Sequence, residues 1–227
     1  MIFEEFKHMT MISMEEICHE IFMENQASIK IKKEAVAVKN LANIFNTALK
    51  LSNEKGFQTM SLRDLSRNSG LSMGALYSYF TSKEELLEII QNQGRRLTRK
   101  ILTRQIDPDS SSDEKLCTAI RTHLYLTEVM HKWFYFSFME TKNLEKEQQK
   151  KSIESELATE QVFIDILEQG NREKLFHAEN PILTASVIKS MLQDWYVKRW
   201  KYARRQITVD EYSEFVIYFI KSAIRKS

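Results

Sequence analysis

At 227 residues, with 43% apolar and 28% charged side chains, the chain has room for one large or two modest globular domains. Five Gly and two Pro are too few for a turn-rich fold, so a mostly helical chain is expected. No apolar run approaches the ~20 residues that span a bilayer, the N-terminus lacks the basic and apolar regions of a secretory signal, and Cys18 and Cys117 make no disulfide framework, so no membrane association and a cytoplasmic location are expected. The net charge of +2 hides an asymmetry: −5 over 1–29 (one Lys, six Glu), +8 over 30–104 (fourteen Lys and Arg, six Asp and Glu) and −1 over 105–227 (eighteen and nineteen). Basic charge confined to one third of a chain suits a polyanionic partner, although a solvated Lys-rich surface has the same composition.

Residues 2–25 have a loose helical pattern with Phe3, Phe6, Ile17, Ile21 and Phe22 as anchors. Residues 1–35 thus form an N-terminal extension, either packed on the body or disordered. Lys30, Lys32 and Lys33 then make either a basic arm or a polar linker. Val38, Leu41, Ala42, Phe45, Ala48 and Leu49 mark an amphipathic helix at about 36–54, closed by Gly56. Ser61, with Asp64 three residues on, predicts the capped start of a short helix at 62–69. Gly70 turns the chain, and Ser72 caps a second short helix at 73–79. Ser82 opens a longer helix to about 104, its first turn acidic as the helix dipole favours. Pro108 and the Ser-rich run after it form a loop. Helices follow at about 113–129, 132–142, 145–169 (ending at Gly170), 182–204 and 208–225. Nothing alternates like a strand, so the fold class is all-α.

Two short helices joined by a Gly-containing turn, inside a three-helix unit at 36–83, have the layout of a helix-turn-helix. The run Gly56-Phe57-Gln58-Thr59-Met60-Ser61-Leu62-Arg63-Asp64-Leu65 through Leu76-Tyr77-Ser78-Tyr79-Phe80-Thr81-Ser82-Lys83 resembles the DNA-binding signature of TetR-family regulators. The resemblance covers about 39–90 and is weak beyond. It implies a helix-turn-helix domain at 36–83 and, at 84–227, a helical domain for ligand binding and dimerisation. Leu62, Leu65, Leu71, Leu76 and Phe80 pin the short helices to the first. Gly74 leaves backbone open to phosphate or a base edge. Ser61, Ser72 and Thr81 serve as caps, as phosphate donors, or as both. Met73 and Ala75 are suited to thymine methyls, and Arg63 to groove or phosphate. By resemblance, Tyr77 presents its hydroxyl to DNA, Tyr79 points at the duplex backbone and Lys83 contacts phosphate.

The resemblance also implies a dimer built on the last two helices. Leu192, Trp195, Tyr212, Phe215 and Phe219 are the candidate interface, ordinary core packing being the alternative. The cluster Trp133 to Met139 is apolar nearly all round, so its helix should be buried. Trp133, Phe134, Phe136 and Phe138, with His123, Leu126 and Trp195, are candidate pocket residues for a small apolar effector; a solid core is the alternative. The segment 192–202 looks similar to regulators in this family that respond to fatty acids or acyl-CoA. Lys198, Arg199, Lys201, Arg204 and Arg205 then meet a CoA phosphate or form a solvated face.

Catalysis has little support, and no cofactor or metal is expected. The five His lack ligand spacing, there is no phosphate loop or nucleophile elbow, and Glu140, Glu154, Glu156 and Glu160 read as a solvated face. The resemblance, with the aromatic cluster, therefore implies a homodimeric repressor that binds palindromic operator DNA and is released by a small apolar effector, such as a fatty acid or acyl-CoA. The rival on the same fold is a ligand-independent DNA-binding or protein-interaction module.

Overall fold

The computed structural model describes residues 1–10, 14–26 and 29–225. Every regular element among them is helical: α1 (Phe3–Met9), α2 (Met14–Glu24), α3 (Glu34–Lys55), α4 (Leu62–Ser69), α5 (Met73–Leu76), α6 (Lys83–Gln105), α7 (Ser112–Val129), α8 (His131–Glu140), α9 (Lys146–Arg172), α10 (Pro181–Val197), α11 (Arg199–Arg204) and α12 (Val209–Ile224). They form two compact units. One holds residues 11–96 and 135–149, the other 1–10, 97–134 and 150–227.

In the first unit α3 is the central post. Its inward row of Ala37, Leu41, Ile44, Ala48 and Leu51 is buried, and Leu65, Leu76 and Phe80 close on it from α4, α5 and the turn after. The capping box at Ser61 is formed: the Ser61 oxygen accepts from the Asp64 N–H and the Asp64 carboxylate accepts from the Ser61 N–H at 3.0 Å. Gly70 adopts the left-handed conformation (φ +70°) that stops α4 and aims the chain into α5. α2 packs on α3 through Cys18, Ile21 and Phe22. The loose helical pattern over 2–25 corresponds to α1 and α2, and residues 11–13 between them lie outside the described residues.

The second unit is built round α7, which buries side chains on all sides: Leu116, Ala119, Ile120, His123, Leu124, Tyr125 and Leu126. α10, α12 and α1 pack on it. The rings of Phe3 and Phe6 each lie 5.6 Å from that of Tyr125, and Asp210 accepts from both the Tyr125 hydroxyl and the Phe3 N–H. The helix expected across 182–204 is broken at Lys198 (φ −116°, ψ 33°) into α10 and α11. α9 runs past its expected end at Gly170. The Phe176 ring sits against the Gly170 backbone so closely that a Cβ there would lie 2.0 Å from Phe176 Cδ2. Gly170 is a packing position, not a stop.

Candidate nucleic-acid interface

The outer face of α4 and α5 is polar and open. Ser61, Arg63, Arg67, Asn68, Ser72, Gly74, Tyr77 and Thr81 are exposed. Behind this face three side chains lock the helices together. Asn43 donates to the Ser69 carbonyl at 2.7 Å, Ser66 to the Leu71 carbonyl at 2.6 Å, and Asn40 to the Tyr79 hydroxyl at 2.9 Å. An interface that presents polar groups from a rigid support loses little entropy when it docks.

α5 is shorter than the expected helix at 73–79. The Tyr77 N–H still bonds to the carbonyl four residues back, but those of Ser78 and Tyr79 reach only three back, to Ala75 and Leu76. This tightening turns Tyr79 and Phe80 inward and leaves Tyr77 outside. Tyr77 is 43% exposed and Tyr79 only 2%. Tyr79 therefore cannot point at a duplex backbone, as its resemblance implied; it is a core residue, and burial raises its phenol pKa.

Lys83 also needs correcting. Its ammonium donates to the carbonyls of Phe57, Gln58 and Met60 at 3.2, 3.0 and 3.2 Å and lies 5.0 Å from the centre of the Phe57 ring. The turn between α3 and α4 leaves these carbonyls without helical partners, and all three ammonium donors are spent on them. Glu140, read as part of a solvated face, is buried and grips the same turn from α8: its carboxylate accepts from the Phe57 N–H at 3.2 Å.

The other candidates divide by what their hydroxyls already do. Ser61 caps α4 and donates to Asp64, and Thr81 donates to Glu85, so both hydroxyls are committed; the cap of α6 is Ser82, which accepts from the Glu85 N–H at 3.1 Å. Ser72 caps α5 by accepting from the Ala75 N–H at 3.1 Å. Met73 and Ala75 are half-buried on the same short helix. A Cβ on Gly74 would meet nothing nearer than the Ser72 oxygen at 4.0 Å, so nothing in the chain requires a glycine there. The stretch before α3 is docked at its start: Ile29 is buried and the Lys30 N–H donates to the Ser78 carbonyl at 2.9 Å. Lys30, Lys32 and Lys33 thus leave from beside α5, with exposed side chains.

In the second unit the candidate pocket set comes apart. His123, Leu126, Trp133, Phe134 and Trp195 are buried there, with Phe134 in ring contact with His123, Trp133 and Tyr196. Phe136 belongs to the first unit, edge-on to Phe57 at 5.6 Å, and Phe138 is exposed. Over 131–140 the chain serves two cores in succession, so one buried apolar helix is the wrong description. The candidate interface divides too. Leu192 and Trp195 are buried in their own subunit; Tyr212 is half-buried, stacked on Trp195, and donates to the Met191 carbonyl. Only Phe215 and Phe219 face out, with Tyr218 beside them and Ile182, Leu183 and Val187 exposed on α10. Of the basic run, Arg199 pairs with Glu128, and Lys198 and Lys201 with Asp194, leaving Arg204 and Arg205 exposed.

A compact helix-turn-helix with a polar outer face, joined to a second all-helical unit, defines a DNA-binding transcriptional regulator. The chain belongs to the TetR family: the model described as bacterial regulatory proteins of the tetR family matches residues 44–90, and that of the tetracyclin repressor-like C-terminal domain matches 109–218. Among known proteins it is similar to the HTH-type transcriptional regulator HbdR of Aromatoleum sp. strain CIB, at 22% identity over 75% of this chain and 74% of that one. A tetR-family regulatory protein from Rhodococcus RHA1 shares the fold, with a TM-score of 0.76 at 20% identity over 83% of this chain and 98% of that one. So does the regulator FadR from Bacillus subtilis, solved in complex with stearoyl-CoA: TM-score 0.64 and 19% identity over 81% and 98% of the two chains.

Proposed function

We propose that this regulator is a cytoplasmic repressor that binds a palindromic operator as a homodimer and leaves it when a small apolar effector, a fatty acid or its acyl-CoA thioester, occupies the second unit. The observation that carries the dimer is the pair of exposed apolar rows, Ile182, Leu183 and Val187 on α10 and Phe215, Tyr218 and Phe219 on α12. The two helices are tied by the Tyr212–Met191 hydrogen bond, so the rows belong to neighbouring helices. A soluble surface seldom leaves this much apolar area uncovered, and two copies of a helix pair make a four-helix interface. Two-fold symmetry then sets two recognition helices about one DNA turn apart, ~34 Å. On each, Ser72, Met73, Gly74, Ala75 and Tyr77 face the major groove, with Arg63 along the phosphates. The +8 charge of residues 30–104 supports this polarity. As effector class, an acyl compound is supported by the aromatic interior round Phe134 and is what FadR carries as stearoyl-CoA. Release follows if the effector prefers a conformation with a different helix spacing.

The double variant Leu183→Asp, Phe215→Asp tests the dimer. Light scattering should find the wild type as a dimer and the variant as a folded monomer. Affinity for a palindromic duplex should fall by about a hundredfold, because the second half-site contact is no longer intramolecular. A wild type that is monomeric, or a variant that stays dimeric, rejects the reading.

A further inference from the structure

The second unit buries a polar cluster that its own fold leaves incomplete. His123 on α7 is 3% exposed, and its Nε2 lies 3.1 Å from Lys189 Nζ on α10. Lys189, 6% exposed, stands 3.3 Å from Glu156 Oε1 on α9. An ammonium can only donate, so Lys189 gives one N–H to the Glu156 carboxylate and another to the Nε2 lone pair. The His123 proton is thereby fixed on Nδ1. That Nδ1 is buried with no hydrogen-bond partner among the described residues, and so is Thr122 Oγ1 on the neighbouring residue. Protein interiors seldom keep a buried N–H without an acceptor. Burial, with the Lys189 charge beside it, holds His123 well below its ordinary pKa, so the imidazole is neutral.

Apolar rings adjoin the imidazole. The Phe134 ring is centred 6.1 Å from the imidazole and 5.4 Å from the Tyr196 ring. The chain of polar groups ends at the surface, where the Glu156 side chain is half-exposed. Lys189 feels two carboxylates, Glu156 and Glu160, against its single positive charge, and the Tyr196 phenol is held neutral by burial and by Glu156. The Lys189 charge beside His123 is already answered by Glu156, so a carboxylate brought to this buried site gives up its hydration without gaining a free cation, whereas a neutral oxygen acceptor gives up far less and meets a waiting N–H.

We propose that His123, its tautomer set by Lys189, forms the polar anchor of the effector site, which takes the neutral carbonyl of an apolar ketone, ester or thioester and discriminates against the free carboxylate. The inference rests on the effector reading above and narrows it: His123 Nδ1–H donates to the carbonyl oxygen while the chain of the ligand lies against Phe134 and Tyr196.

Three probes of matched length separate the possibilities: methyl nonyl ketone, decanoate and undecane, titrated near neutral pH into the full-length protein with tryptophan fluorescence as readout. The ketone should bind about tenfold more tightly than either the acid or the alkane. His123→Phe should bring the ketone down to the level of the alkane, while His123→Gln, which keeps an N–H donor, should stay within about threefold of wild type. Decanoate binding as well as the ketone, no binding of the ketone, or full ketone affinity in His123→Phe overturns the proposal. Should His123→Phe fail to fold, loss of the ketone preference in His123→Gln overturns it instead. Gel shifts on the same samples keep the two readings apart. Ketone binding that leaves the DNA complex intact upholds the site and rejects release; no ketone binding, with DNA still bound, rejects the site alone.

Discussion

The two units treat the polar groups at their candidate sites in opposite ways. In the helix-turn-helix unit the polar atoms behind the open face are already satisfied, and the buried atom of that unit that lacks a partner among the described residues, Gln148 Oε1, is on α9. Asn40, Asn43, Ser66 and Lys83 spend their donors holding helices and turns together, and what remains outward is a rigid polar surface. The helical unit instead keeps unpaired polar atoms inside, at Thr122 and His123, and apolar rings outside, at Phe215 and Phe219. A reader of DNA must have its shape before the duplex arrives, since any slack is paid for on binding. On the proposed reading, a unit that answers to a small molecule and to a second copy of itself has to leave something for each to complete.

Three measurements would break or sharpen this contrast. The largest effect is expected at Lys83. Lys83→Met takes the ammonium donor from the Gln58 and Met60 carbonyls, while the Phe57 carbonyl keeps the Met60 N–H, and should cost about 2 kcal/mol in chemical denaturation, with no change in the salt dependence of DNA binding. A fall of about one in the salt slope at unchanged stability would make Lys83 a phosphate contact after all and undo the distinction between support and surface. Next comes Arg63→Ala, on the open face. Binding should weaken about tenfold and the salt slope drop by about one, with stability within about 0.5 kcal/mol of wild type. The smallest concerns Asp194. Burial opposes its charge, but hydrogen bonds from Lys201, Tyr202 and Lys198 outweigh this and pull its pKa from 3.8 down to about 2. A depressed carboxyl pKa stabilises the fold above the unfolded pKa, and that contribution disappears as pH falls from about 4 to about 2. Asp194→Asn should therefore melt below wild type at neutral pH, with the gap closing across that acid range. A gap that persists at about pH 2 would show that the carboxylate's charge is not what matters.

How much could be read from the sequence differs between the units for a physical reason. Caps and turns are local, so the Ser61–Asp64 box, the Gly70 stop and the start of α6 at Lys83 could all be placed from neighbouring residues. Which way a side chain faces beyond its own helix is not local. Tyr77 and Tyr79 are two apart in a four-residue helix that tightens as it ends, and nothing nearby announces that the second turns in to meet Asn40. Leu192 and Trp195 carry the apolar character of an interface yet face their own core, because α10 is apolar on both sides. The break at Lys198 escapes periodicity because Lys198, Lys201 and Tyr202 converge on one carboxylate, Asp194, across it. Lys189, by contrast, left a signal that sequence reasoning missed. It occupies the inward row Ala185, Lys189, Leu192, Tyr196, where a lone lysine implies a buried partner.

The chain passes between the two units four times, after residues 10, 96, 134 and 149. This protein is therefore not two beads on a string. A graft that keeps residues 1–96 and exchanges the rest would carry over α1 without Tyr125 and leave behind Phe136 and Glu140, which hold the Phe57 turn. Moving the helix-turn-helix unit into another protein means moving two segments, 11–96 and 135–149, across four junctions.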